Sequence, residues 1–199
     1  MAPNSFEVSD PAFANVLAKL RDRSLRPAAV RSVVAELTSI LAKDAVTPVA
    51  PGEKIAVIII LRSGLAMMDS FVAALPAETD MVIYHLGLFR ERQTLQPIEY
   101  YNKLPQKDPR IKHAYVLDPL VATGGTAGAS ISILRDWGVD QITFLCLLAS
   151  QAGLETAANV WPESTRFVVG AVDPELDDKG YVKPGVGDIG DRLFGTALN

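Results

Sequence analysis

An α/β fold, with a mainly parallel sheet flanked by helices, is what this sequence predicts. Unbroken apolar, β-branched runs such as Ile55 to Leu61 suit strands covered on both faces, as in parallel sheets. These runs alternate with stretches of helical periodicity, which is the order of an α/β domain. The 199 residues suit a single domain spanning 1–199, and 49% hydrophobic residues suffice for a core and argue against disorder.

The elements follow in order. Residues 1–9 read as a flexible tail. Asp10-Pro11 is an N-cap followed by proline at the first helical position, opening a helix to about Arg23. Pro27 opens a second helix, whose Val30, Val33, Val34, Leu37, Ile40 and Leu41 form one apolar stripe. The Pro/Gly segment 47–52 ends it. The strand Ile55 to Leu61 stops abruptly at Arg62-Ser63-Gly64, and helix-like sequence runs to Leu75. A strand is expected over Met81 to Leu88, then a long polar, aromatic excursion over 89–105. A strand leads into Asp118, and a helix from Thr126 to Trp137 is stopped by Gly138. Strands at Ile142 to Leu148 and Phe167 to Val172 enclose a helix over 151–160. The end, 173–195, is rich in Gly, Pro and Asp.

A net charge of −4 provides no global basic field, so nucleic acid is not an expected partner, and an anionic small molecule must be held by local groups. Cys146, the lone cysteine, fits a reducing compartment. The N-terminus lacks a signal pattern, and the longest apolar run is far too short to cross a bilayer. A soluble cytoplasmic protein without a membrane partner is expected. His85 and His113 have no metal-type partners nearby in sequence and read as structural, and Cys146 has no catalytic context.

Ligands of parallel sheets bind beyond the carboxyl ends of the strands. Four polar segments are expected there. In Val116-Leu117-Asp118-Pro119-Leu120-Val121-Ala122-Thr123-Gly124-Gly125-Thr126, a strand runs through a small-residue turn into a helix. Such a turn aims successive N–H groups and the positive helix end at an anion. Thr123 and Thr126 add hydroxyls. Asp118 can accept from sugar hydroxyls or from the water shell of a metal. Arg62 suits the forked recognition of diphosphate oxygens. The 89–105 excursion has the length of a lid or binding loop, with an exposed hairpin as the plainer reading. In the Gly-rich end, Gly185-x-Gly187-x-x-Gly190 fits a dinucleotide fingerprint, but only nine residues follow Gly190, which leaves no room for a βαβ unit.

The Asp118 to Thr126 stretch resembles the 5-phosphoribosyl-1-diphosphate (PRPP) binding motif of phosphoribosyltransferases, and Asp118-Pro119 in place of two adjacent acids resembles the uracil phosphoribosyltransferase family. Ile60-Leu61-Arg62-Ser63-Gly64-Leu65 is similar to that family's Ile-Leu-Arg-Ala-Gly-Leu, with Ser63 replacing alanine. The 87–105 segment resembles its flexible loop, which implies that Arg90 binds diphosphate. The end from Tyr181 to Arg192 resembles its uracil-binding loop, implying base contacts from Val182, Gly187, Asp188 and Ile189, with Asp188 also facing PRPP. The resemblance further implies a hood formed by the C-terminal and loop segments, Mg²⁺ bound with PRPP, a PRPP site running from Asp118 to Thr126 with Arg62 and Arg90, and a homo-oligomer. It is strongest from about Ile55 to Thr196. Two departures matter: 44–54 is short where the family carries a β-arm used in dimer contact, and Ile189 replaces alanine. The implied reaction is uracil plus PRPP giving UMP and diphosphate, with Asp118 and Arg90 central and Asp188 orienting the base. A ligand-binding relative without activity, acting as a sensor or structural subunit, and a phosphoribosyltransferase for another base are the alternatives.

Overall fold

The computed structural model describes residues 2–90 and 97–196, apart from the side chains of Arg90 and Pro97. The elements are β1 (Ser5–Glu7), α1 (Pro11–Arg21), α2 (Pro27–Ala45), β2 (Lys54–Leu61), α3 (Leu65–Val72), β3 (Met81–Arg90), β4 (Pro97–Asn102), β5 (Ile111–Leu117), β6 (Leu120–Val121), α4 (Gly125–Trp137), β7 (Gln141–Cys146), β8 (Leu148–Ser150), α5 (Gln151–Ala158), β9 (Thr165–Val169), β10 (Val172–Asp173), β11 (Glu175–Leu176), β12 (Val182–Lys183) and α6 (Ile189–Phe194). Seven strands form the main sheet in the order β1-β9-β7-β5-β2-β3-β4. All its pairs are parallel except β3 with β4.

The β2 sequence explains the layers. Ile55, Val57 and Ile59 join a hydrophobic cluster with α1, α2 and α3. Ala56, Ile58 and Ile60 join a second cluster with α4 and α5. Alternate side chains therefore enter opposite cores, and an unbroken apolar run results. Along α2, Val30, Val34, Leu37, Ile40 and Leu41 are buried, while Val33 is partly buried against the same cluster. Asp10 caps α1, accepting from the Ala12 N–H at 2.9 Å. Gly138 closes α4 in the left-handed region, φ 95°.

Four expectations over the described residues need correction. The flexible tail over 1–9 instead contains β1, which pairs with β9 in the register Ser5 to Phe167. Asn4 Nδ2 ties it down by donating to the Ala158 and Thr165 carbonyls. Edge pairing uses backbone groups, so it needs no apolar alternation to announce it. The strand from Met81 does not stop at Leu88. It continues to Arg90 and pairs antiparallel with β4, with an irregularity between Gly87 and Leu88. The arms of the 89–105 segment are thus a β-hairpin; 91–96 lie outside the described residues. The run Ile142 to Leu148 is divided, because the chain leaves the main sheet after Cys146 and β8 enters a three-stranded sheet β10-β8-β6. Leu147 and Leu148 both donate to the Pro119 carbonyl at this step. The Phe167 to Val172 run divides likewise into β9 and β10.

From β2 the chain crosses to β3 on one side and later to β5 on the other. The sheet therefore reverses direction of growth between β2 and β5, the place where open α/β sheets leave a crevice at their carboxyl edge.

Candidate active site

A cleft of about 290 Å³ opens at that edge, near the lower limit of the ~300–1,000 Å³ common for small-molecule sites, so it suits a compact ligand. Its lining comes from four segments. Arg62 and Ser63 follow β2. Leu88 and Phe89 belong to β3. Asp118, Leu120 to Gly124, and Thr126 belong to the β5–α4 connection. Tyr181, Asp188 and Ile189 come from the C-terminal segment. Four segments far apart in sequence therefore meet. Pro119, Gly125, Val182 and Gly187 lie in the same segments but do not line the cleft. The role implied for Arg90 concerns a side chain outside the described residues.

The cradle at 123–126 is shaped by a close approach. Gly124 has φ 82°, and a Cβ there would collide with the Gly153 carbonyl oxygen. Only glycine meets both demands at low cost. Gly153 stands in the first turn of α5, where Ser150 Oγ accepts from the Gly153 N–H at 2.9 Å and donates to the Ala122 carbonyl at 2.5 Å. The cradle is thus braced from behind by α5, and its backbone has a fixed shape before a ligand enters.

Asp118 is 6% exposed. Burial pushes its carboxyl up to about 7, opposed by the Leu120 N–H and the Ser63 hydroxyl. Nearby Cys146 is fully buried, and burial together with the Asp118 charge pushes its thiol far up, so it is no nucleophile. His113 stands near the opposite end of β5, with Nε2 2.9 Å from Thr143 Oγ1. Burial lowers its pKa to about 4. Its place and its bond are structural.

Arg62 points across to the C-terminal segment. Its Nη2 lies 3.2 Å from Asp191 Oδ1, Nη1 donates to Thr196 Oγ1 at 3.3 Å, and Cζ lies 5.5 Å from the Phe194 ring centroid. The arginine is half exposed, and such an ion pair is worth only ~0–1 kcal/mol. A multiply charged anion in the cleft can therefore take this guanidinium over.

Two clamps that sequence inspection missed hold the C-terminal segment. Arg21 grips Asp173 through both terminal nitrogens at 2.8 Å and also donates to the Gly185 carbonyl at 3.0 Å. Asp173 in turn accepts from the Gly185 N–H at 2.8 Å. Arg192 donates to the carbonyls of Leu20, Val186 and Asp22 at 2.6–2.7 Å. Asp188 caps the short α6 by accepting from the Asp191 N–H at 3.0 Å. Ile189 is 5% exposed and belongs to the hydrophobic cluster that includes Val182, Val186 and Leu193. It therefore packs in the core at the wall of the cleft that it also lines. No local motif flags the Arg21 and Asp173 partnership, because 152 positions separate the two residues.

The family model described as uracil phosphoribosyltransferase matches residues 47–196. The urg2 protein of Schizosaccharomyces pombe, provisionally named a uracil phosphoribosyltransferase, is 50% identical over 94% of this chain and 88% of its own length. A protein of Roseiflexus castenholzii named uracil phosphoribosyltransferase is 39% identical over 94% of this chain and 95% of its length. Among solved structures, the AQ2163 protein of Aquifex aeolicus superposes with a TM-score of 0.86 at 27% identity, covering 98% of this chain and all of that one. A hypoxanthine-guanine phosphoribosyltransferase of Bacillus anthracis shares the fold at TM-score 0.50 and 16% identity, covering 74% of this chain and 80% of that one.

Proposed function

The chain belongs to the uracil phosphoribosyltransferase family, and from that premise we propose that it transfers the 5-phosphoribosyl group of PRPP to uracil, giving UMP and diphosphate. The observation that carries the reading is the meeting of the 118–126 turn and the 180–190 segment in one cleft at the sheet's reversal point. A phosphate cradle and a loop suited to reading a planar base then face a common volume.

In this reading the C1–O bond to diphosphate breaks, the C1–N1 bond to uracil forms, and the N1 proton passes to solvent. Charge builds on the leaving diphosphate, where Arg62, Arg90 and the 123–126 amides serve as fixed donors. The threonine hydroxyls of Thr123 and Thr126 add to them, with Pro119 to Ala122 shaping the approach. Asp118 accepts from the ribose hydroxyls and holds the sugar while C1 gains positive character. The backbone at Ile189 reads the base edge, Val182 and Gly187 shape the loop that presents it, and Asp188 orients the base. Holding N1 against C1 lowers the entropic part of the barrier.

Mg²⁺ enters with PRPP. In this reading the diphosphate would carry the ion; among the described residues no three His, Cys, Asp or Glu side chains gather to hold a metal. When bound, it neutralises charge on the leaving group. A homo-oligomer in the cytoplasm completes the reading. No helix among the described residues is long and apolar enough to cross a membrane. The dimer contact is expected to differ from that of relatives with a long β-arm, since α2 and β2 are joined here by the short 46–53 segment.

The test is incubation with PRPP, Mg²⁺ and labelled uracil, followed by separation of nucleotides. UMP formation supports the reading. PRPP binding without UMP would mark a non-catalytic relative, and turnover of another base in place of uracil would overturn the substrate.

A further inference from the structure

We propose that Ser63 is a positioning residue for this transfer: its hydroxyl holds a carboxylate oxygen of Asp118 and, with the Leu120 N–H, fixes the carboxyl that is to receive the sugar. The inference rests on the reading of the site above. Ser63 follows β2 and Asp118 follows β5, the two adjacent strands that flank the sheet's reversal point. The backbone brings them together. A Cβ on Gly64 would collide with the Leu117 carbonyl oxygen and meet the Ile60 carbonyl oxygen at 2.8 Å, so the turn after β2 rests directly on the end of β5. This contact carries Ser63 Oγ to 3.2 Å from Asp118 Oδ1, where it donates. Both residues line the cleft.

Asp118 is nearly sealed from solvent, so water does little to orient it. Among the described residues Ser63 is the one side chain that donates to it. The alanine that the family resemblance places here would have no donor to offer. A second consequence follows from the same bond. Asp118 accepts more strongly from sugar hydroxyls while ionised, and donation from Ser63 favours that form. Burial pushes the carboxyl up to about 7 against the Leu120 N–H and then the Ser63 hydroxyl, so that bond contributes to how much carboxylate exists near neutrality. The other titratable groups around it are Cys146 on β7, Arg62 beside Ser63, and Asp188 and Tyr181 from the C-terminal segment. None of these forms an ion pair with Asp118 among the described residues, and Arg62 is engaged by Asp191.

The experiment compares kcat/KM for PRPP against pH in the wild type, Ser63→Ala and Ser63→Thr. The ionisation of PRPP itself is common to all three. Loss of one hydrogen bond to a carboxylate is expected to move the acid limb up by about one pH unit in Ser63→Ala. Its deficit is then about tenfold at acid pH and closes as pH rises. Ser63→Thr, which keeps the hydroxyl, is expected to restore the limb. A carbon-13 titration of the Asp118 carboxyl in the ligand-free proteins, assigned with Asp118→Asn, is expected to shift in the same direction. A limb that superimposes on the wild type, a deficit independent of pH, or an unmoved carboxyl titration would overturn the proposal. If the wild type forms no UMP at all, the reading of the site fails instead, and the carboxyl titration still shows whether Ser63 controls Asp118.

Discussion

Replacing Asp173 by asparagine should loosen the C-terminal segment while sparing the phosphate cradle. Asp173 is 5% exposed and accepts three hydrogen bonds, two from Arg21 and one from the Gly185 N–H. Each bond to a charged acceptor is worth ~1.5–3 kcal/mol, but they do not add, and breaking a buried pair commonly costs ~3–5 kcal/mol. The Arg21 side chain keeps 28% of its exposure and its bond to the Gly185 carbonyl, so the released cation regains some solvent. About 2–3 kcal/mol is then expected for Asp173→Asn. For a chain of this size that lowers Tm by roughly 5–10 °C, at ~2–4 °C per kcal/mol. Thermal unfolding by circular dichroism reads this. The pH dependence supplies a second sign. Burial alone would raise the Asp173 carboxyl, yet Arg21 and the Gly185 N–H hold it below the ordinary value of 3.8. Its stabilisation is therefore complete above the usual carboxylate range and disappears as pH falls through the lowered folded value. The variant should lack that part of the acid limb. In kinetics, KM for uracil should rise several-fold while PRPP affinity stays near wild type, because Gly185 belongs to the base-side segment. A Tm within about 2 °C of wild type, or an equal loss of affinity for both substrates, would refute the clamp.

Gly124→Ala should abolish PRPP binding in calorimetry and cost more than the ~1 kcal/mol typical of a strained backbone, since the new methyl meets the Gly153 carbonyl as well. Asp118→Asn should lower kcat with little change in Tm, and unchanged kinetics would remove Asp118 from the reaction. Ile189→Ala should cost about 2–4 kcal/mol, read by denaturant unfolding, because the side chain fills core space. Uracil KM should change less than threefold, and a large improvement would mean that the isoleucine crowds the base after all. His113→Gln should flatten the stability profile between pH 6.5 and about 4. There the wild-type unfolded chain takes up a proton that buried His113 refuses, so wild-type stability falls with falling pH.

The parallel core was legible because its signal is local. The run from Ile55 to Leu61 carries both of its environments in seven consecutive residues, and the α2 stripe shows its period directly. What escaped depends on partners distant in sequence. β1 exists because β9 offers a free edge, and nothing in Asn4 to Glu7 encodes that edge. The hairpin arm to Arg90 needs β4 opposite it, and one strand's residues do not reveal where its pairing ends.

The candidate site divides along the same line. Arg62, Asp118 and the Thr-Gly-Gly-Thr turn were recognisable because a backbone cradle and a strand-end charge are short-range features. Their mutual arrangement was not. At Arg62 the type of residue suggests diphosphate, while the fold adds Asp191 and Thr196 as its partners across the cleft. At Ile189 the sequence leaves two directions for the side chain, toward the base or away from it, and the fold buries it with Val186 and Leu193 at the wall of the cleft. Ser63 shows the converse. As a replacement for alanine it looks neutral, and it gains meaning only when β5 brings Asp118 within reach of its hydroxyl. A substitution at a conserved-looking turn is therefore best judged against the strand across the reversal point, since that strand supplies the group whose charge the new side chain can alter.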